Sequence, residues 1–468
     1  MKNIRTMFKR IDLTEGKPCK VILIFTIPIF LSLLLNSAFL LINSIVLKVT
    51  VGGDSVAAVN ATSSISNILL QFAYGTASGF AIVIAEYVGK KDYSNLKKIF
   101  YNSIYLSIIL GIFIALMGFL FYEDLLHLLN INERYLDKAK DYYQMILIAF
   151  IFMLLNNCLA NALRAMGDSF APLVISLIST FLNICFAFLF TGVIKLDTKG
   201  VAIATIISNL ANVVISYIYI VRKYDFLGGK AIFKIDKKLG LKMMGLGIPL
   251  GIQWSVLFIG SFFQDRTINA FGDGLATKAT SCYNPFVSYI CTPISALSSS
   301  MLSYVGQNYG KKDLDRIKKG AKQMFVIHIL LWVIIMIIGF SLLKSVPYIF
   351  MPKDEINNIV EGPIVKYYCY TYLKVLIPCF IMQGLLTMSR SILQGVQKTT
   401  IPLLSGIGEL IARISICSFV PTLINPNNPL SDESYLGVCF STPAAWFISL
   451  IIMGGSVLIY FRKIKRER

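Results

Sequence analysis

Twelve stretches of this chain are apolar over about 20 residues or more, the length an α-helix needs to cross a ~30 Å hydrocarbon core, and no other property limits its fold so strongly. Lipid offers no hydrogen bonds, so a spanning run must pair its own N–H and C=O groups, and runs of this length and continuity do so as helices. They lie near 21–50, 56–88, 96–122, 142–166, 169–194 and 201–221, then near 243–271, 276–305, 324–350, 367–394, 400–424 and 435–461. Charged residues make up 15% of the chain, against ~25% in soluble domains. No polar stretch between the runs is long enough for a soluble domain. The expectation is an all-α integral membrane protein with twelve transmembrane helices.

The runs fall into two sets of six, and the chain repeats itself accordingly. Gly89-Lys90-Lys91-Asp92 returns as Gly310-Lys311-Lys312-Asp313, a shift of 310 − 89 = 221 residues. The same shift pairs Pro28 with Pro249, Gly53 with Gly274, Ala58 with Ala279 and Lys97-Lys98 with Lys318-Lys319. Internal repeats must be settled before any other fold assignment. An even number of spans brings each half back to its starting side, so the halves are parallel repeats, two pseudo-symmetric six-helix lobes around a central cleft. The expected lobes are 1–221 and 243–468, joined by a linker at 222–242.

The net charge of +19 resides in short loops between apolar runs, which points to membrane topology rather than nucleic acid. Lys and Arg crowd the loops on the amino-terminal side, and the opposite side carries acidic connections such as 123–141 and 354–361. Both termini are therefore expected in the cytoplasm, in a multi-pass protein of the plasma or inner membrane. The first 20 residues are polar and basic, and the apolar run after them is too long for a signal-peptide core.

Little in the sequence suggests catalysis. There is no Gly-x-x-x-x-Gly-Lys-Ser/Thr phosphate loop, only two histidines, and no spacing of His and Cys that would hold a metal. The nine cysteines are scattered, mostly inside apolar runs, and read as reduced packing residues. A membrane-embedded enzyme would need a nucleophile, base or metal constellation, and none is found. The chain is expected to need no cofactor. Two Gly-x-x-x-Gly patterns, Gly75 to Gly79 and Gly247 to Gly251, read as close helix packing. Pro28 and Pro249 open the two halves inside apolar runs, as candidate kinks in candidate moving helices, and Pro293 and Pro378 interrupt later runs.

Ionisable residues inside spans are functional hypotheses by default. Asp265 and Arg266 lie midway along the seventh run, about 100° apart around a helix, so they cannot face each other. Glu409 and Arg413, four apart on the eleventh, share a face and are expected to neutralise one another. Glu86, Arg164, Lys374 and Arg390 are expected near helix ends, their heads in water. His328 reads as a packing residue. The amides of Asn36, Asn43, Asn60, Asn67, Gln71, Asn183, Gln253, Gln264 and Asn284 cannot all face lipid, and either line a wet cavity or bond between helices.

These residues resemble the multidrug and toxic compound extrusion (MATE) family over essentially the whole chain. The resemblance rests on Ala85-Glu86-Tyr87-Val88-Gly89-Lys90-Lys91-Asp92 with its echo Val305-Gly306-Gln307-Asn308-Tyr309-Gly310. It rests also on Leu163-Arg164-Ala165-Met166-Gly167-Asp168 followed by Pro172 and Asn183, with the echo Leu393-Gln394-Gly395 and Pro402. Gly200-Val201-Ala202-Ile203-Ala204-Thr205 and the pair Glu409 and Arg413 complete it. The resemblance implies two six-helix lobes exporting organic, usually cationic amphipathic compounds in exchange for Na+ or H+. It also implies a cation site in the first lobe, where many relatives carry one aspartate on the first helix and another on the fifth. This sequence has Asn43 and Ala187 there and keeps Asn183, Thr205 and Pro28. Coupling is therefore expected in the second lobe, at Asp265 first, then Glu409 with Arg413, with Asn43, Asn183 and Thr205 as the first-lobe remnant. The expected substrate cavity gathers Gln253, Gln264, Phe262, Tyr283, Asn284 and Met382, suited to a lipophilic cation. The alternative is a lipid-linked saccharide flippase of the same superfamily, whose phosphates would call for more intramembrane cations. The protein is expected to act as a monomer in the bilayer on small molecules.

Overall fold

The computed structural model describes residues 10–51, 53–128, 133–228 and 235–466, without the side chains of 37–45, 47–48, 53–54, 56–57, 60, 127–128, 133–135, 353 and 464–466. The side-chain expectations for Asn43 and Asn60, and part of the expected linker, fall outside the described residues. Twelve long helices are present: α1 Pro18–Thr50, α2 Gly53–Lys90, α3 Tyr93–Leu120, α4 Glu133–Ala165, α5 Phe170–Phe188, α6 Asp197–Lys223, α7 Lys237–Ile268, α8 Leu275–Gly310, α9 Leu314–Leu342, α10 Glu361–Gly395, α11 Thr400–Ile424 and α12 Ser441–Arg466. No strand occurs among the described residues. Eleven helical segments of the described chain are long and apolar enough to cross a membrane. The remaining long helix, α8, has 36 residues, ample length for a crossing, but carries Ser, Thr and Asn along it.

Most helices outrun the apolar stretches that announce them. The helix of the fourth run starts at Glu133, nine residues before the hydrophobic part, because a helix gains a backbone bond with each added residue whether or not lipid surrounds it. The ninth run behaves differently. Its helix ends at Leu342 and resumes as the short Val346–Phe350, with Pro347 at the first turn, where a missing N–H is tolerated. The twelfth run is likewise split, into a short helix Asp432–Cys439 and α12. Pro28 and Pro249 sit inside continuous α1 and α7.

The repeat is visible in the backbone. After α2, Lys91 takes a left-handed φ of 57°, its N–H reaches the Val88 carbonyl and the Asp92 N–H reaches that of Tyr87. After α8, Lys312 takes φ 62° and the same two bonds run to Tyr309 and Asn308. Both are Schellman caps with a lysine where glycine is usual. Gly167 at φ 92° and Gln397 at φ 65° close α4 and α10 in the same way, their successors bonding to Leu163 and Leu393.

The helices group into two compact units, Met1–Ser255 with Leu302–Leu314, and Val256–Met301 with Asp315–Arg468. The divide falls inside α7 and α8, not in the polar stretch after α6. Glycine explains why the start of α7 joins the first unit. A Cβ on Gly79 would lie 2.4 Å from the Gly247 Cα, and one on Gly75 2.3 Å from the Leu250 carbonyl, so the two Gly-x-x-x-Gly patterns pack against each other. Around that contact the first unit buries Phe80, Phe100, Leu159, Met166, Met243 and Leu246. In the second unit α12 runs along both α10 and α11.

Candidate functional site

In the second unit the polar side chains of α7, α10, α11 and α12 converge on Gln264, which is buried at 2% exposure. Its Oε1 accepts from Arg413 Nη1 at 3.0 Å and from Thr442 Oγ1 at 2.7 Å, and its Nε2 donates to Tyr372 Oη at 3.2 Å. Arg413 Nη1 also donates to Ser261 Oγ at 3.1 Å. Gly260 makes room for this arginine, since a Cβ there would lie 3.1 Å from its Cδ. The Tyr372 ring stacks on Tyr283 at 4.0 Å between centroids. Tyr283 is fully buried, and its hydroxyl has no hydrogen-bond partner among the described residues. A buried amide with three of its bonds made, next to aromatic rings and a guanidinium, is a rigid platform rather than a loose polar patch.

Asp265 follows Gln264 on α7 and is half-buried. Among the described residues it makes no ion pair and no side-chain hydrogen bond, and Arg413 acts on it only from beyond ion-pairing range. Glu409 is differently placed. The expected pairing of Glu409 with Arg413 is not what the fold does: Glu409 accepts from Arg390 Nη2 at 2.8 Å, with side chains 4% and 7% exposed. Sequence spacing sees only the neighbour one turn away on α11, whereas α10 brings a second arginine to the other side of the carboxylate. Arg413 is thereby left to reach across to α7.

Two of the four ions expected in water at helix ends are buried. Arg390 is one, and Glu86, 4% exposed, is the other, shared by Lys90 and Lys242. Lys374 is exposed, and Arg164 donates to Asn161 Oδ1 at 2.9 Å. His328 is buried with its ring against Gly384.

The first unit holds a neutral network. Asn183 Nδ2 donates to Ser208 Oγ at 3.0 Å, and Ser208 Oγ and Asn209 Nδ2 both donate to the Thr205 carbonyl, at 3.1 and 2.9 Å. Asn156 Nδ2 completes it on Asn209 Oδ1 at 3.0 Å. Asn183 Oδ1 is buried without a partner among the described residues, while the Thr205 hydroxyl turns back to the Val201 carbonyl. Ala187 packs with Val46 and Ala204, so the position is apolar in surroundings as well as in side chain. Of the remaining expected cavity residues, Gln253 is fully buried in the first unit, Phe262 and Asn284 are exposed, and Met382 is half-buried. Sequence reading passed over Asn156 and Asn209, which the rule that found Asn183 would also find. It missed Ser261, Tyr372 and Thr442, hydroxyls too common in membrane helices to stand out.

The MatE family profile matches residues 28–189 and 253–419. The probable multidrug resistance proteins YoeA and YpnP of Bacillus subtilis strain 168 are similar, at 26% identity over 71% of this chain and 73% of YoeA, and 27% over 64% of this chain and 67% of YpnP. A solved outward-facing multidrug resistance MATE family transporter of the MOP superfamily superposes with a TM-score of 0.86 over 98% of this chain and 99% of that one, at 18% identity. The two lobes' motifs, the twelve long helices and the profile covering both halves agree: the chain belongs to the MatE family of multi-pass membrane transporters, not to an enzyme family.

Proposed function

We propose that this protein is a secondary active antiporter that exports lipophilic organic cations in exchange for Na+ or H+ by alternating access, with both termini and the Gly-Lys-Lys-Asp turns in the cytoplasm. One observation carries the reading: Asp265 is a half-buried intramembrane carboxylate that, among the described residues, no ion pair or side-chain hydrogen bond neutralises. Such a group is costly unless a cation, a proton included, occupies it for part of a cycle. Glu409 is the weaker candidate, since Arg390 already compensates it. The stacked Tyr283 and Tyr372 offer faces that attract organic cations. The relatives named as multidrug resistance proteins support an amphipathic, chemically broad substrate class. The lobes are taken as 1–221 and 243–468, acting as a monomer, with residues 222–242 between them.

The test uses purified protein in vesicles loaded with ethidium, under separately imposed Na+ and H+ gradients. Asp265→Asn is expected to lose gradient-driven export while keeping the elution profile of the folded protein. Export that persists unchanged in Asp265→Asn would refute the assignment. A second reading, a phosphate-bearing lipid-linked substrate, is favoured by Arg413, which is buried with no carboxylate among the described residues within ion-pairing distance. Efflux of an anionic dye that equals efflux of ethidium would favour it.

A further inference from the structure

Glu86 and Gln307 occupy equivalent places in the two repeats, since 86 + 221 = 307, as do Gly89 and Gly310. The structure sets these four residues against each other. A Cβ on Gly89 would lie 1.8 Å from the Gln307 carbonyl oxygen, and one on Gly310 would lie 1.9 Å from that of Glu86. The ends of α2 and α8 therefore cross with bare backbone on bare backbone, related by the repeat itself. A Cβ on Gly306 would likewise lie 2.7 Å from the Ala85 Cβ.

From this crossing each helix reaches for the opposite half of the sequence. Glu86, on α2, holds Lys90 of its own helix and Lys242 at the start of α7. The Tyr87 ring lies beneath both ammonium groups, 4.5 Å from Lys90 Nζ and 5.6 Å from Lys242 Nζ. Gln307, on α8, accepts from the Leu13 N–H at 3.2 Å and donates to the Ala165 carbonyl at 2.8 Å. Asn308 Nδ2 donates to the Leu13 carbonyl at 3.1 Å and Lys311 Nζ to that of Thr14 at 3.4 Å. The Ile11 N–H bonds to the Gly167 carbonyl at 2.9 Å, and Leu13 is fully buried. The segment before α1 is thus strapped under the α4–α5 turn and the end of α8. One position does two jobs, an ionic clasp in the first repeat and an amide clasp in the second.

We propose that these clasps form the gate at the lysine-rich end of the protein, and that the strap 11–16 is a working part of it. This rests on the alternating-access reading above. Opening that end requires the start of α7 and the end of α8 to part from α2, α4 and the strap, and neither clasp survives that separation, because Glu86 on α2 holds Lys242 on α7 while Gln307 on α8 holds Leu13 and the Ala165 carbonyl. The asymmetry has a consequence of its own. The ionic clasp is exposed on its lysine side, at 37% and 32%, so salt screens it, whereas the two bonds of the Gln307 side chain join neutral groups.

The test needs neither substrate nor coupling ion, so it stands apart from the antiport assay. Spin labels are attached at Lys91→Cys and Lys312→Cys, both exposed and in equivalent turns, in full-length protein lacking its native cysteines. Their distance distribution is measured in lipid nanodiscs by double electron–electron resonance. The parent should give one short distance. Glu86→Gln should raise a longer population roughly tenfold, as expected for losing a charge-assisted bond, and Gln307→Ala should do so independently. Exchanging charges, Glu86→Lys with Lys242→Glu, should restore the short distance, a rescue that loss of packing alone would not give. High salt should mimic Glu86→Gln and leave the effect of Gln307→Ala unchanged. A distribution that stays at the short distance in both Glu86→Gln and Gln307→Ala overturns the proposal, as does a charge exchange no shorter than Glu86→Lys alone.

Discussion

Replacing Arg390 with methionine isolates the one buried ion pair among the described residues of the second unit. Glu409 and Arg390 meet at 2.8 Å with almost no exposure, linking α10 to α11. Removing one partner of such a pair leaves a desolvated charge and costs about 3–5 kcal/mol, while replacing both with apolar groups of similar size is close to neutral. Arg390→Met should therefore destabilise strongly. Arg390→Met with Glu409→Leu should return to within ~1 kcal/mol of the parent, a coupling of ~3 kcal/mol. Trp446, which packs on Phe380 between α12 and α10, provides a fluorescence reporter in the same unit. At ~2–4 °C per kcal/mol for a unit of this size, thermal unfolding in detergent should drop by ~6 °C or more in Arg390→Met and recover in the double variant. The alternative pairing, Glu409 with Arg413, predicts the reverse pattern: rescue by Glu409→Leu in an Arg413→Met background and none in Arg390→Met. That outcome would refute the geometry.

Gly79→Leu should fail to accumulate as folded protein, because even a Cβ would meet the Gly247 Cα at 2.4 Å, and membrane expression followed by size-exclusion chromatography checks this. Asp12, ahead of the first span, has its carboxyl held below the usual 3.8. Partial burial opposes this, but the hydroxyl and N–H of Thr14 and the charges of Arg10 and Lys91 outweigh it. A depressed carboxyl contributes stability above its unfolded pKa and loses it as pH falls through the folded one. The strap should therefore loosen only below about pH 4, and Asp12→Asn should remove that dependence, as read by hydrogen exchange at Leu13 and Thr14.

The helices were legible because lipid leaves the chain so few choices. What hydropathy could not locate was anything decided by a partner elsewhere in the fold. Glu133 begins a helix nine residues before its apolar part, and the helix of the ninth run stops at Leu342, inside its own, before a short one with Pro347 in its first turn. Gly79 and Gly247 announced a close approach without saying that they approach each other. At the site, Gln264, Arg413 and Tyr283 were singled out for being polar or aromatic in a span, and they do gather around one amide. Arg390 was assigned to water because it lies one turn from the end of α10. The residue that buries it, Glu409, comes from a helix whose position no spacing rule supplies.

The two halves have diverged in a consistent direction. Positions whose backbone geometry is fixed by the crossing are kept: Gly89 and Gly310, and the left-handed turns at Lys91 and Lys312, where a change would push main chain into main chain. The surface charges of the turns are kept with them, Lys90, Lys91 and Asp92 matching Lys311, Lys312 and Asp313, but several charged positions inside the helices are not. Glu86 corresponds to Gln307 and Asn43 to Gln264, with Asp265 beside it, and Asp168, bonded to Lys223 and Tyr219, takes the place in the cap of α4 that Lys398 takes in the cap of α10. Backbone contacts have no substitute, since every side chain is larger than none. An ionic contact can be replaced by an amide of the same length at little cost in shape and a large change in electrostatics. A duplicated transporter can therefore move its charges between lobes while its helices stay in register. The carboxylate of Asp265 on α7, unpaired among the described residues, and the wholly neutral Asn156, Asn183, Thr205, Ser208 and Asn209 network of the first unit are the two ends of that drift.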